Sequence, residues 1–100
     1  MAKDPLETIR KLDPELFDSV SRSREGLFRD GALSAKNKYL IAMALDAAHG
    51  AAGGVASLAR QAVREGAVKE EVMEALRVAN YISGVGTIYT ASLGLADVFK

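Results

Sequence analysis

Cysteine is absent from this 100-residue chain. Its absence excludes disulfides, thiolate nucleophiles and thiolate metal sites, while leaving the redox compartment open. Histidine occurs once, as His49, so a metal site would have to be built from carboxylates. No two of these converge at ligand spacing in a loop, and neither a metal nor a cofactor is expected. An excess of one charge is missing too, since thirteen basic residues face thirteen acidic ones. The balance holds in each half, eight against eight through Gly50 and five against five after it, which argues against a polyanion-binding tail. Long apolar runs are also lacking: Lys, Asp, Arg or Glu interrupts each one before the roughly 20 residues that a bilayer crossing needs. The start, Met1-Ala2-Lys3-Asp4-Pro5, carries no apolar core of a signal peptide. A cytoplasmic protein without membrane contact is the expectation.

What remains is rich in small apolar residues. Hydrophobic residues make up 49% of the chain and only six are aromatic, so the apolar content is mainly Ala, Leu and Val, which suits close helix packing. Taken together these features predict an all-α protein forming one domain over residues 1–100. A domain of this size leaves a large share of its apolar surface wet as a monomer, so a homo-oligomer is expected.

Taken in order, Asp4-Pro5-Leu6-Glu7 offers an N-cap acceptor, a Pro for the first helical position and a Glu three residues after the cap. This predicts a short helix through Lys11. Asp13-Pro14-Glu15 repeats the device, and Leu16, Phe17, Val20, Leu27 and Phe28 continue an apolar pattern that the weak helix formers Ser21 to Ser23 would bend or break. Asp30-Gly31 ends that element, and Ser34 is the N-cap of a long helix. In that helix Leu40, Met43, Ala44 and Ala47 with Ile41, Leu45 and Ala48 form a wide apolar face. Gly50, Gly53 and Gly54 predict a tight turn or a loosened helix start. Val55 to Val63 carries the next helix to Gly66, and Glu70, Glu71 and Glu74 open another, with Val72, Met73, Leu76, Ala79 and Ile82 as its inner face. Ser83-Gly84-Val85-Gly86 breaks the pattern, and Thr87 to Phe99 reads as a last helix wedged between others. The architecture expected is a compact antiparallel helical domain of five or six helices.

Lys38 to Ala79 resembles the carboxymuconolactone decarboxylase and alkylhydroperoxidase D (AhpD-like) family. The residues that carry the likeness are Tyr39-Leu40-Ile41-Ala42-Met43-Ala44 as lead helix, Gly50 at the turn, Val55-Ala56, and Arg64-Glu65-Gly66-Ala67-Val68-Lys69-Glu70-Glu71-Val72-Met73-Glu74-Ala75-Leu76. Ser83-Gly84-Val85-Gly86 matches the glycine pair before the family's last helix. The resemblance covers Leu33 onward and implies an AhpD-like helical domain assembling into trimers or hexamers. Function departs from the pattern. Anchored on Gly50, the two Cys positions of the peroxidase members fall on Ala51 and Gly54, their His on Leu58 and their Glu on Tyr39. Thiol peroxidase chemistry needs a thiolate near a helix N-terminus and a resolving partner, and Leu58 cannot carry a proton.

Two readings of function follow. In one, the redox site is degenerate and Tyr39, Ala51, Gly54 and Leu58 line an apolar pocket for a small hydrophobic or carboxylate ligand, in a binding or structural protein. In the other, His49 acts as acid or base, Asp46 orients it and Tyr39 donates a hydrogen bond, giving a lyase or hydrolase for a small carboxylate or lactone. Asp46 and Tyr39 share a helix stripe, with His49 about 60° away. Against this stands a plainer role for His49 at a helix C-terminus, interacting with the last carbonyls. Gly50-Ala51-Ala52-Gly53-Gly54 lacks the Lys-Ser/Thr of a phosphate loop and reads instead as small residues that let two helices approach. The last helix carries one Asp and no Lys or Arg between Thr87 and Phe99, so nucleic acid is excluded as a partner.

Overall fold

The computed structural model describes residues 4–100; Met1, Ala2 and Lys3, the start of the stretch read above for a signal peptide, lie outside them. The helices are α1 (Glu7–Leu12), α2 (Pro14–Arg24), α3 (Ala35–Ala48), α4 (Ala52–Arg64), α5 (Lys69–Ser83) and α6 (Gly86–Leu95). Helices α3 to α6 form one packed body with α3 touching each of the other three, whereas α1 and α2 pair chiefly with each other. Among the described residues the fold is all-α, with six helices where five or six were expected.

Local chemistry explains most helix ends. Asp13 accepts the Leu16 N–H at 3.1 Å and Pro14 opens α2. Ser34 Oγ accepts the Asn37 N–H at 3.1 Å, and Asp30 takes the Ala35 N–H at 2.7 Å, so two orphan donors of α3 are satisfied by side chains. Gly50 turns the chain from α3 to α4 with φ +83°, a conformation costly for a residue with a Cβ.

Three expectations are corrected. The Asp4 carboxylate accepts from the Leu6 N–H at 2.9 Å and holds a turn, so α1 begins at Glu7 rather than at Pro5. Helix α2 runs unbroken through Ser21 to Ser23 and stops at Arg24 before Gly26, which has φ +73°, instead of continuing to Gly31. Leu27 and Phe28 therefore lie beyond the helix. Finally, Ile82 is exposed rather than on the inner face of α5, and α6 buries only Thr87 and Ala91, so it is covered on one side rather than wedged.

Alanine is the commonest residue of the core. Leu40, Met43 and Ala47 of α3 meet Val55, Ala59 and Ala62 of α4, Val72 and Leu76 of α5, and Ala91 of α6. Small side chains bring the helix axes close, and the few larger ones fill what is left. Thr87 is the polar exception: its hydroxyl is buried with no hydrogen-bond partner among the described residues. Thr87→Val keeps the shape and removes a stranded polar group, so urea unfolding should show a gain of about 1 kcal/mol.

One ion pair ties α3 to α5. Lys36 Nζ lies 2.7 Å from Glu71 Oε2, while Glu71 Oε1 accepts the Val68 N–H at 3.0 Å and so caps α5. The Lys36 ammonium, and then the Val68 N–H, hold the Glu71 carboxyl below its ordinary 4.5. A depressed carboxyl stabilises the fold above its unfolded pKa, and that contribution is lost as pH falls through the folded value. Glu71→Gln should therefore lower the melting temperature at pH 7 and flatten its decline below the ordinary carboxylate range, as read by melts from pH 7 to 3.

Candidate functional site at the α3–α4 junction

The last turn of α3 and the first turn of α4 meet at a corner made by Asp46, His49, Ala51 and Gly54. The Ala51 N–H donates to the Asp46 carbonyl at 2.8 Å, which closes the turn and sets the start of α4 against the end of α3. His49 caps α3 through its backbone N–H, donated to the Leu45 carbonyl at 3.0 Å, and its side chain is exposed. Asp46 is half-buried and its carboxylate lies directly over Gly54; a Cβ on residue 54 would overlap it. The carboxylate thus occupies the room that a side chain at position 54 would need. It sits beside the first turn of a helix whose N-cap, Ala51, offers no side-chain acceptor, where the dipole favours negative charge.

Leu58 lies one turn further along α4, half-buried against the core. Tyr39 is two turns earlier than Asp46 on α3, roughly 10 Å along the axis. Its ring stacks on Phe28 with centroids 4.3 Å apart and planes 1° from parallel. There it borders a second hollow, of about 380 Å³, with Ser21, Arg24 and Arg29. The junction brings Asp46, His49, Ala51 and Gly54 together, with Leu58 next along and Tyr39 set by Phe28 at the far end of the stripe.

The opposite flank of α3 holds a feature that the sequence reading did not single out. A groove of about 500 Å³ runs between α3 and α5, lined mainly by Leu33, Ile41, Leu45, Val78 and Ile82. No charged side chain lines it among the described residues. At 100° per residue, Ala44, Ile41 and Ala48 point about 180° away from Tyr39 and Asp46 around the α3 axis. The signal for it was present in the width of the α3 apolar face, which is greater than a core on one side requires.

Comparison with known proteins agrees with this architecture. The family model described as "Carboxymuconolactone decarboxylase family" matches residues 14–97. The crystal structure of an apo carboxymuconolactone decarboxylase family protein from Legionella pneumophila is similar, with a TM-score of 0.81 and 35% identity over 91% of this chain and 81% of that one. A comparison with curated proteins gives no match. With the sequence motifs, the all-α AhpD-like fold and these matches all in agreement, the chain belongs to the carboxymuconolactone decarboxylase family.

Proposed function

We propose that this member of the family has a degenerate redox site and serves, in the cytoplasm, as a homo-oligomeric small-molecule-binding or structural protein without peroxidase activity. The carrying observation is the Asp46 carboxylate seated over Gly54. Where peroxidase members place the second thiol, this chain has a glycine and fills the space with an anion from the neighbouring helix. An anion at that point would disfavour a neighbouring thiolate even if a cysteine were restored. Of the remaining positions, Ala51 and Leu58 supply apolar surface beside the corner, which suits a small hydrophobic ligand better than acid-base work, while Tyr39 is engaged with Phe28 at the far end of the stripe.

Hydroperoxide with a dithiol reductant tests the redox half of this reading. Consumption should stay at the buffer rate, and turnover above it would overturn the assignment. Native mass spectrometry of the freshly purified chain tests the rest, with a trimer or hexamer carrying a discrete extra mass as the supporting result.

The exposure of His49 beside Asp46 favours a second reading, a lyase or hydrolase acting on a small carboxylate or lactone. It requires that the parent turn over some member of a lactone and β-keto acid panel, and that His49→Ala abolish that turnover while keeping fold and assembly.

A further inference from the structure

We propose that the hollow between the end of α2 and the start of α3 binds a small aromatic phosphomonoester, its phosphate held by Arg24 and Arg29 and its ring lying against the Phe28–Tyr39 pair. This site stands apart from the Asp46–Gly54 corner, whose carboxylate would repel such a ligand.

Local folding brings the two arginines together. Helix α2 stops at Arg24, the Leu27 N–H donates back to the Arg24 carbonyl at 3.2 Å, and the Arg29 N–H donates to the Gly26 carbonyl at 3.4 Å. These successive turns put both arginines on the lining of one hollow. Gly26, at φ +73°, lies under the Arg29 side chain, where a Cβ would stand 3.3 Å from Cζ and 3.4 Å from Nε. The bare glycine lets the guanidinium settle over the turn. Phe28 and Tyr39, half-buried and stacked 1° from parallel, supply the aromatic wall, and Ser21 adds a hydroxyl-bearing side chain.

Charge selects the ligand. The lining sets two arginines against one carboxylate, Glu25, which leaves +1, and Lys38 brings a further cation to 2.7 Å from the Arg29 carbonyl. Asp30, the next carboxylate along the chain, is turned to cap α3 at Ala35. Neither guanidinium of the hollow is ion-paired among the described residues, where the pairs join Arg10 and Lys11 to Glu7, Lys36 to Glu71 and Lys100 to Asp97. A carboxylate would leave part of this positive charge unmatched, whereas a phosphomonoester carries about −1.5 to −2 at pH 7 and three acceptor oxygens that suit forked guanidinium donors. Size narrows the choice further. The hollow of about 380 Å³ falls at the small end of the ~300–1,000 Å³ range of ligand pockets, room for one ring and one phosphate. Inorganic phosphate alone would leave the aromatic wall wet.

Phenyl phosphate is the probe, titrated by calorimetry into the purified chain in a low-salt buffer free of phosphate. One site per chain should saturate in the low millimolar range or below and weaken as salt is raised; no saturable heat would overturn the site. Inorganic phosphate and benzoate should each bind at least tenfold more weakly. Equal binding by either would overturn the ligand assigned, the first by showing that the ring is not read and the second by showing that a single charge suffices. Arg24→Gln and Arg29→Gln change exposed residues and should keep the parent's melting temperature, yet each should weaken phenyl phosphate at least tenfold. Arg64→Gln, exposed on α4, should bind as the parent does. If the two hollow variants keep the parent's affinity, or alter the mass of the assembly without altering affinity, the arginines serve contacts between subunits and the proposal fails. Phenyl phosphate binding and hydroperoxide turnover are separate readouts, so failure of this site leaves the redox reading standing, and the reverse.

Discussion

Met43→Ala should cost about 2–5 kcal/mol of stability, a large share of the roughly 5–15 kcal/mol that holds a domain of this size together. Met43 is fully buried, in a core cluster that joins it to Leu40 and Ala47 of its own helix, Val55, Ala59 and Ala62 of α4, Val72 and Leu76 of α5 and Ala91 of α6. The alanines of this cluster cannot close the space left behind, because their side chains have no rotamers with which to reach inward. The cavity would persist and its lining would lose dispersion contacts outright. Among the described residues the largest fully buried side chains are Met43, Val55, Val72 and Thr87, and Met43 is the longest of them, so the loss is not shared widely. Urea unfolding at a fixed protomer concentration should show a lower midpoint with an unchanged slope. An exposed control such as Leu12→Ala should stay within about 0.5 kcal/mol of the parent. A Met43→Ala midpoint equal to that of the control would mean that the body repacks around the missing side chain.

Which parts of this fold could be read beforehand follows from the range of the chemistry involved. The caps at Asp13 and Ser34 were legible because a cap joins a side chain to an N–H three residues away, a distance the sequence displays. The turn at Gly50 and the break at Ser83-Gly84 were legible for the same reason. Asp4 shows the limit: its carboxylate chose the Leu6 N–H, two residues on, and helix α1 began later. Gly26 and Gly31 were both available to end the second helix, and nothing local distinguishes them; the structure places the positive φ at Gly26.

The apolar faces were misjudged in a more instructive way. Periodicity reports that Ile41, Leu45 and Ile82 are apolar at helical spacing, and it is silent on which body covers them. Reading Ile82 as an inner-face position assumed that the chain itself would cover it, and the wide apolar face that includes Ile41 and Leu45 left open what covers them. The structure leaves them along a groove on the far side of α3 from Asp46. The candidate site had the same difficulty. Asp46, His49 and Gly54 could be picked out as residues, but the seating of the carboxylate over Gly54 depends on how closely α3 and α4 approach after the turn. That separation is a tertiary quantity. The register of Ala51 and Gly54 against Gly50, by contrast, can be counted along the sequence.

Gly94→Ala should destabilise the chain by about 1–3 kcal/mol and disturb the α3–α4 corner at the same time. In an exposed helix interior this substitution would gain about 1 kcal/mol from propensity. Here the added methyl meets the Ala52 carbonyl oxygen at 2.6 Å and Val55 Cβ at 2.8 Å, distances that real Cβ atoms do not keep. The carbonyl is backbone in the first turn of α4 and cannot rotate away, and Val55 is fully buried. Overpacking at such a point commonly costs 1–3 kcal/mol, so the clash outweighs the propensity gain. Relief would come by pushing α6 from α4 or by tilting the start of α4, and the second route moves Gly54 relative to Asp46. Two measurements separate them. A lower urea midpoint alone reports displacement of α6, whereas a lower midpoint together with an altered rate of diethyl pyrocarbonate reaction at His49 reports a shift of the corner itself. An unchanged or higher midpoint would mean that α6 has room to slide and that Gly94 is not needed for the close approach of these two helices.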